Sequence, residues 1–155
     1  MKGFLASGIT ETLVVIGDHS GKYGRQIIGE LGNQERILFS GGLFDEDLLD
    51  HLRHFSKAVF HGHSAGGTNP SLLEAMAAGS LIIAHDNAYN KWVLGENAGF
   101  FRSRTELKEL LSGIDRIRQN SGTWILNNLN RIRKEFQWNL VTRNYEKLFE
   151  EQVEK

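Results

Sequence analysis

Five short apolar runs mark the first two-thirds of this 155-residue chain: Thr12–Ile16, Arg36–Ser40, Ala58–His61, Leu81–Ala84 and Gly99–Phe101. Continuous apolar runs of this length suit strands of a sheet covered on both faces. Between them the spacing turns helical, over Lys22–Leu31, Glu46–Phe55, Pro70–Ala78 and, more briefly, Ala88–Leu94. Alternating strand and helix predicts an α/β fold, a Rossmann-like and mostly parallel sheet with right-handed crossovers and helices on both faces. From Thr105 the pattern is helical only. Leu107, Leu110, Leu111, Ile114 and Ile117 make one stripe, and Ile125, Leu129, Ile132 and Phe136 a second. Trp138, Val141, Tyr145, Leu148 and Gln152 mark the inner face of a third. Ser121-Gly122 separates the first two stripes. No repeat, low-complexity stretch or linker interrupts the chain, so residues 1–155 read as one domain.

Composition narrows the function classes. A net charge of −1 argues against a nucleic-acid binder driven by phosphate contacts. The charge is uneven: residues 1–101 carry seven Lys/Arg against eleven Asp/Glu, and residues 102–155 carry eleven against eight. Solvated helix faces are the plain explanation; the sharper one is a basic tail approaching an anionic surface such as the inner face of a membrane. No apolar run is long enough to span a bilayer, and no signal-peptide pattern opens the chain. With no cysteine there is neither a disulfide nor a thiolate metal site, and the cytoplasm is the expected compartment.

The densest chemistry lies in His61-Gly62-His63-Ser64-Ala65-Gly66-Gly67-Thr68-Asn69-Pro70-Ser71-Leu72-Leu73-Glu74-Ala75-Met76-Ala77-Ala78-Gly79. The order is strand, glycine loop, helix. Thr68 or Asn69 suits the helix N-cap, Pro70 its first turn and Gly79 its stop. Glycines let a ligand approach the backbone, and a helix N-terminus offers free N–H groups to a phosphate. In an open parallel sheet such a loop lies beyond the carboxyl ends of the strands, where ligands bind. Glu74, one turn into the helix, has a carboxylate able to accept two ribose hydroxyl bonds; taken alone, it reads first as an acidic residue favouring the helix dipole.

This segment and the strand after it resemble the C-terminal domain of retaining GT-B glycosyltransferases of the family-4 type. The wording Gly-Gly-Thr-Asn-Pro-Ser-Leu-Leu-Glu-Ala-Met-Ala is similar to a bacterial, rhamnosyltransferase-like subgroup. The resemblance extends to Leu13–Gly17, Ile37–Leu43, Asp45–Leu52 and a closing helix bearing Phe136, Trp138, Tyr145, Leu148 and Phe149. It implies the donor half of an enzyme that transfers a hexose or deoxyhexose in polysaccharide or cell-surface glycan synthesis. It also implies that the nucleotide-sugar is a substrate, with no cofactor and no essential metal. It implies that Glu74 holds the ribose, that Gly66, Gly67, Thr68, Asn69, Ser71 and Leu72 surround the diphosphate, and that Gly42 and Leu43 lie near the base. Departures matter. Gly66 stands where the family's first glutamate of a Glu-x7-Glu pair falls, and Pro70 has no N–H. Met1–Gly8 carries neither the usual Gly-Arg strand ending nor the following lysine. The chain thus reads as a C-domain lacking its first strand, expected to be inactive alone. An N-terminal acceptor domain is the missing partner, and no catalytic base is named. A non-catalytic nucleotide-binding or assembly fragment is the alternative.

Weaker signals have plainer explanations. His61, His63 and His85 read as strand-end polar residues, with His63 favoured for a donor-sugar contact and no metal site expected. Asp86-Asn87 reads as a helix cap or a wall of the sugar pocket. Trp92, Trp124 and Trp138 read as core. Gly62-His63-Ser64-Ala65-Gly66 has the spacing of a hydrolase elbow, but Gly66-Gly67 and Pro70 delay the helix that must follow the serine. Gly17-Asp18-His19-Ser20-Gly21 does not fit a dinucleotide fingerprint. In the strand order implied by the resemblance, the missing strand is central and leaves Thr12–Ile16 facing Ala58–His61. Two outcomes follow: the two strands pair directly, which is the expectation, or the exposed edge recruits a second copy as a homodimer.

Overall fold

The computed structural model describes residues 1–153. Its elements run α1 (Lys2–Ser7), β1 (Leu13–Ile16), α2 (Lys22–Leu31), β2 (Ile37–Gly41), α3 (Glu46–Phe55), β3 (Val59–His61) and α4 (Pro70–Ala77). Then follow β4 (Ile82–His85), α5 (Ala88–Leu94), β5 (Gly99–Phe101), α6 (Arg104–Ser112), α7 (Ile114–Asn120), α8 (Gly122–Glu135) and α9 (Trp138–Val153). The predicted Rossmann-like alternation is present, and every strand pairing is parallel.

The strands form two hydrogen-bonded groups, β1-β2 and β3-β4-β5. Direct pairing of Thr12–Ile16 with Ala58–His61 is therefore corrected: β1 and β3 are not hydrogen-bonded neighbours. One apolar layer nonetheless runs beneath both groups. Phe4 of α1, Leu31 of α2, Ile37, Ile83, Leu107, Leu111 and Ile114 form a buried cluster, with Val15, Phe39 and Phe60 packed on it. That layer holds β1 and β3 apart at fixed positions, because sliding them together would expel side chains from a close-packed core.

The second face is covered only in part. Over β3-β4-β5, Leu72, Ala75 and Met76 of α4, Val93 and Leu94 of α5, and Ile82 and Ala84 of β4 form a second buried cluster, with Ile132 of α8 against it. Over β1-β2 the same face is open. Val14, Ile16 and Leu38 are exposed, and α3 buries none of its residues despite its amphipathic sequence and an Asp45 N-cap that accepts from the Leu48 N–H. Helices on both faces thus holds, with close packing on this second face confined to the β3 to β5 half among the described residues.

The C-terminal helices bring two further corrections. The first predicted stripe is broken at Gly113 into α6 and α7. The third, on α9, has no covering surface among the described residues: Trp138, Tyr145 and Leu148 are exposed, as is Trp92, which packs edge-on against Phe136. Of the three tryptophans only Trp124 joins the core. Helical periodicity fixes which side chains share a face but not whether another element lies opposite.

This unequal covering predicts unequal energetics. Ile83→Ala, at the fully buried centre of β4, should cost about 2–5 kcal/mol of folding stability. Ile16→Ala, on the open half, should cost about 1 kcal/mol or less. Denaturant titration of both variants checks this, and equal losses would mean that the β1-β2 face is covered in solution.

Candidate functional site

Parallel pairing brings the carboxyl ends of β3, β4 and β5 to one edge, and the loops that leave them carry the polar residues of interest. After β3, residues 62–68 form an exposed loop in which Gly66 has φ +118°, a backbone conformation that a side chain would strain. The loop enters α4 through Asn69, the N-cap, whose Oδ1 accepts from the Ser71 N–H at 3.0 Å and the Ser71 hydroxyl at 2.7 Å. Asn69, and not Thr68, is the cap.

That capping consumes donors assigned to a phosphate. The Ser71 N–H is bonded to Asn69 Oδ1, and the Leu72 N–H to the Asn69 carbonyl at 3.0 Å. Pro70 has none to give. The N–H groups of Gly66, Gly67 and Thr68 make no internal hydrogen bond among the described residues. Anion-binding capacity therefore sits one step upstream of the helix, in the loop, with the partial positive charge of the α4 N-terminus behind it.

A pocket of about 110 Å³ opens beside these amides, lined by His61, His63, Gly66, Gly67, Asn69 and Tyr89 among others. Its far wall is held by two asparagines. Asn87 caps α5, accepting from the Asn90 N–H at 2.8 Å, and donates from Nδ2 to the His63 carbonyl at 2.9 Å. Buried Asn90 donates from Nδ2 to the His63 and His85 carbonyls at 3.1 and 2.8 Å, tying the β3 loop to the end of β4. Asp86 is engaged elsewhere, with Arg102 and Lys91. Desolvation pushes its pKa up, yet these two cations carry it below the ordinary aspartate value. Sequence reasoning assigned Asp86-Asn87 to a cap or a wall, and Asn87 serves as both. It missed Asn90, whose only signal was an amide three residues after the cap on a helix face otherwise facing inward.

The histidines are stacked. His61 and His63 rings lie 4.7 Å apart, and buried His61 has an unpartnered Nε2 at the pocket wall. Among the described residues no group of three or more His, Cys, Asp or Glu is arranged to hold a metal ion.

The remaining predicted site residues lie elsewhere. Gly42, Leu43, Ser71 and Leu72 line a second, larger cavity of about 980 Å³ on the other side of β3. Glu74 lines neither space. Its carboxylate pairs with the Arg53 guanidinium from α3, which also bonds Asp50 at 2.8 Å. The sequence carries no sign of this pairing, since Arg53 lies on another helix, and Glu74 remains exposed.

The family described as glycosyl transferases group 1 matches residues 8–136. No curated protein matches the sequence. Among solved structures, the chain is similar to a crystal structure of Anabaena HepE in complex with UDP-glucose, with a TM-score of 0.79 at 19% identity. The match covers 97% of this chain and 44% of that one, so this chain spans less than half the length of its structural relative.

His61 supplies a test of the site's electrostatics. Desolvation, reinforced by His63, pulls its pKa below the ordinary histidine value of 6.5. The folded protein then favours the neutral ring, while the unfolded chain takes up protons as pH falls toward 6.5. The stabilisation is complete above that value and is lost as pH drops through the lower folded-state pKa. Urea midpoints should fall between pH 7.5 and pH 5, and His61→Gln should reduce the fall. An identical fall in both proteins removes His61 as its source.

Proposed function

The chain belongs to the group 1 glycosyltransferases, and from that membership we propose that it is the nucleotide-sugar-binding half of a GT-B enzyme. The observation that carries this is the row of unbonded amides at Gly66, Gly67 and Thr68, set before the α4 N-terminus and beside a small polar pocket. A diphosphate matches such a row in charge and hydrogen-bonding demand, and the pocket beside it accommodates part of a sugar. His63, on the exposed wall, is the donor-sugar contact; Asn69 shapes the loop rather than donating to it.

In this reading Glu74 holds the ribose by exchanging part of its Arg53 pairing for hydroxyl bonds, and Leu43 and Gly42 flank the base from the larger cavity. Ser71 and Leu72 contribute through the helix dipole, their own amides being occupied. This half positions the donor and stabilises charge on the departing diphosphate. The Gly66–Ala77 wording supports a retaining, family-4-type enzyme of the rhamnosyltransferase-like subgroup, acting in polysaccharide or cell-surface glycan synthesis. An acceptor-binding domain completes the cleft. The uncovered apolar faces of α3 and α9 support such a partner, since patches of this kind mark interaction surfaces. The basic C-terminal third suits work at the cytoplasmic face of a membrane, and no described helix is long and apolar enough to cross one. A non-catalytic nucleotide-binding or assembly role is the second reading, favoured by Gly66 at the position of the motif's first glutamate.

Glu74→Gln separates ribose binding from the ion pair. Calorimetric titration with UDP, GDP and dTDP should show affinity reduced by about 1–3 kcal/mol, as for loss of a charge-assisted hydrogen bond. Stability should change by less than about 1 kcal/mol, because the Arg53 pair is solvent-exposed on the Glu74 side. Unchanged affinity removes Glu74 from the site. The 155-residue chain alone should transfer no sugar from any nucleoside-diphosphate donor, measured by product release, and turnover would contradict the two-half account.

A further inference from the structure

His61 ends β3, and the pleat decides where its ring goes. Val59 packs on the cluster shared by α4 and α5, and Phe60 on the cluster beneath the sheet, so His61 stands on the α4–α5 side. Its partner in register on β4 is the small Ala84. The residue is 4% exposed, and its Nε2 is buried without a hydrogen-bond partner. A polar atom left unpaired in the closely packed half of the molecule is costly, and it marks a place where a ligand completes the bonding. The ring of exposed His63 is stacked on it, so rotation of that side chain uncovers His61 without disturbing the core.

His61 is also the one described residue that lines both the small pocket and the larger cavity. With the sugar in the first and the base in the second, the diphosphate between them passes this ring. The inference rests on the nucleotide-sugar reading for that route, though not for the anion itself.

The cations on the two walls are already neutralised. Arg53 is held by Glu74 and Asp50, and Lys57 by Glu11 and Asp115. His51 Nδ1 meets the Asp47 carbonyl at 2.7 Å, and the Asp18 carboxylate accepts from Ser20. Around His61 itself, β4 presents Ala84, with His85 on the other face of the strand and Asp86 held by Lys91 and Arg102. From α5 comes Tyr89, and from the loop His63. Among the described residues lining these spaces, new positive charge for an incoming diphosphate has to come from a histidine. Burial and His63 hold the His61 ring neutral, below the ordinary histidine range. An anion in contact with Nε2 reverses that balance, because it favours the charged ring and makes a charge-assisted hydrogen bond.

We propose that His61 is an anion-binding residue of this site: as a diphosphate docks on the loop amides, Nε2–H donates to a phosphate oxygen and the ring takes up one proton from solvent to become an imidazolium.

Nitrogen-resolved NMR of the histidine rings tests this in the 155-residue chain near pH 6.5, with inorganic pyrophosphate and with UDP, GDP and dTDP. The two nitrogens of a neutral ring resonate far apart and converge when the ring is charged. His61 should be largely neutral in the free chain and gain charge as pyrophosphate, or the nucleotide that binds, saturates. By calorimetry His61→Gln, which keeps a donor but not the charge, should bind the same ligand about tenfold more weakly near pH 6.5. That gap should narrow by pH 8.5, as linkage of proton and anion requires. A ring whose charge does not change at saturation, one already charged in the free chain, or no response to any of the four ligands overturns the proposal. Charging by pyrophosphate while no nucleotide binds supports it and overturns the nucleotide-sugar reading instead.

Discussion

Strand β4 is the member on which the rest of the structure depends. Ile82, Ile83 and Ala84 are fully buried between the two helix layers, and the strand hydrogen-bonds β3 on one side and β5 on the other. A strand so placed has no freedom of register, because a one-residue slip would exchange Ile83 and Ala84 between two filled cores. Fixing β4 levels the carboxyl ends of three strands, and from that edge α4 and α5 start with their N-termini side by side. Asn90 then bonds both the β3 loop and the β4 end. The loop amides are therefore presented by a rigid base, although the loop itself has few internal bonds.

The other half of the sheet obeys the same physics with one member fewer. β1 and β2 pair and share the lower core, but β1 faces a cavity where β4 faces a strand. The apolar side chains of Val14, Ile16 and Leu38 and the amphipathic face of α3 are then left without their complement. Ion pairs such as Glu11–Lys57 bridge the gap at its amino end only. Such half-exposed pairs contribute little, about 1 kcal/mol at most. The asymmetry between a well-packed site half and an open half is the main architectural fact of this chain, and it leaves the candidate diphosphate loop on the well-packed side.

Much of this was legible in the sequence. The five strands lie within a residue or so of their apolar runs, because each run is bounded by glycine or polar turns. The helix caps at Asp45, Asn69, Asn87 and Ser103 follow from residue type. What failed shares one cause: the patterns are local, and covering is not. Trp92 and Trp138 sit on apolar stripes, yet both remain largely exposed, Trp92 meeting only the edge of Phe136 and the Arg131 guanidinium among the described residues. Glu74 lies one turn into α4, and nothing local to that turn points to Arg53 across from it. The occupied amides of Ser71 and Leu72 escape the sequence for the same reason, because a side-chain cap and a turn bond are invisible before the loop is folded.

The central claim is that a nucleoside diphosphate is held by the amides of Gly66, Gly67 and Thr68. It is tested most directly by following backbone amide resonances while UDP, GDP or dTDP is added, with the corresponding monophosphate as the control. The account predicts that one diphosphate shifts these three amides saturably and more than any others, and that its monophosphate shifts them less. Diphosphates that leave these amides in place, or that perturb a different surface, would contradict it.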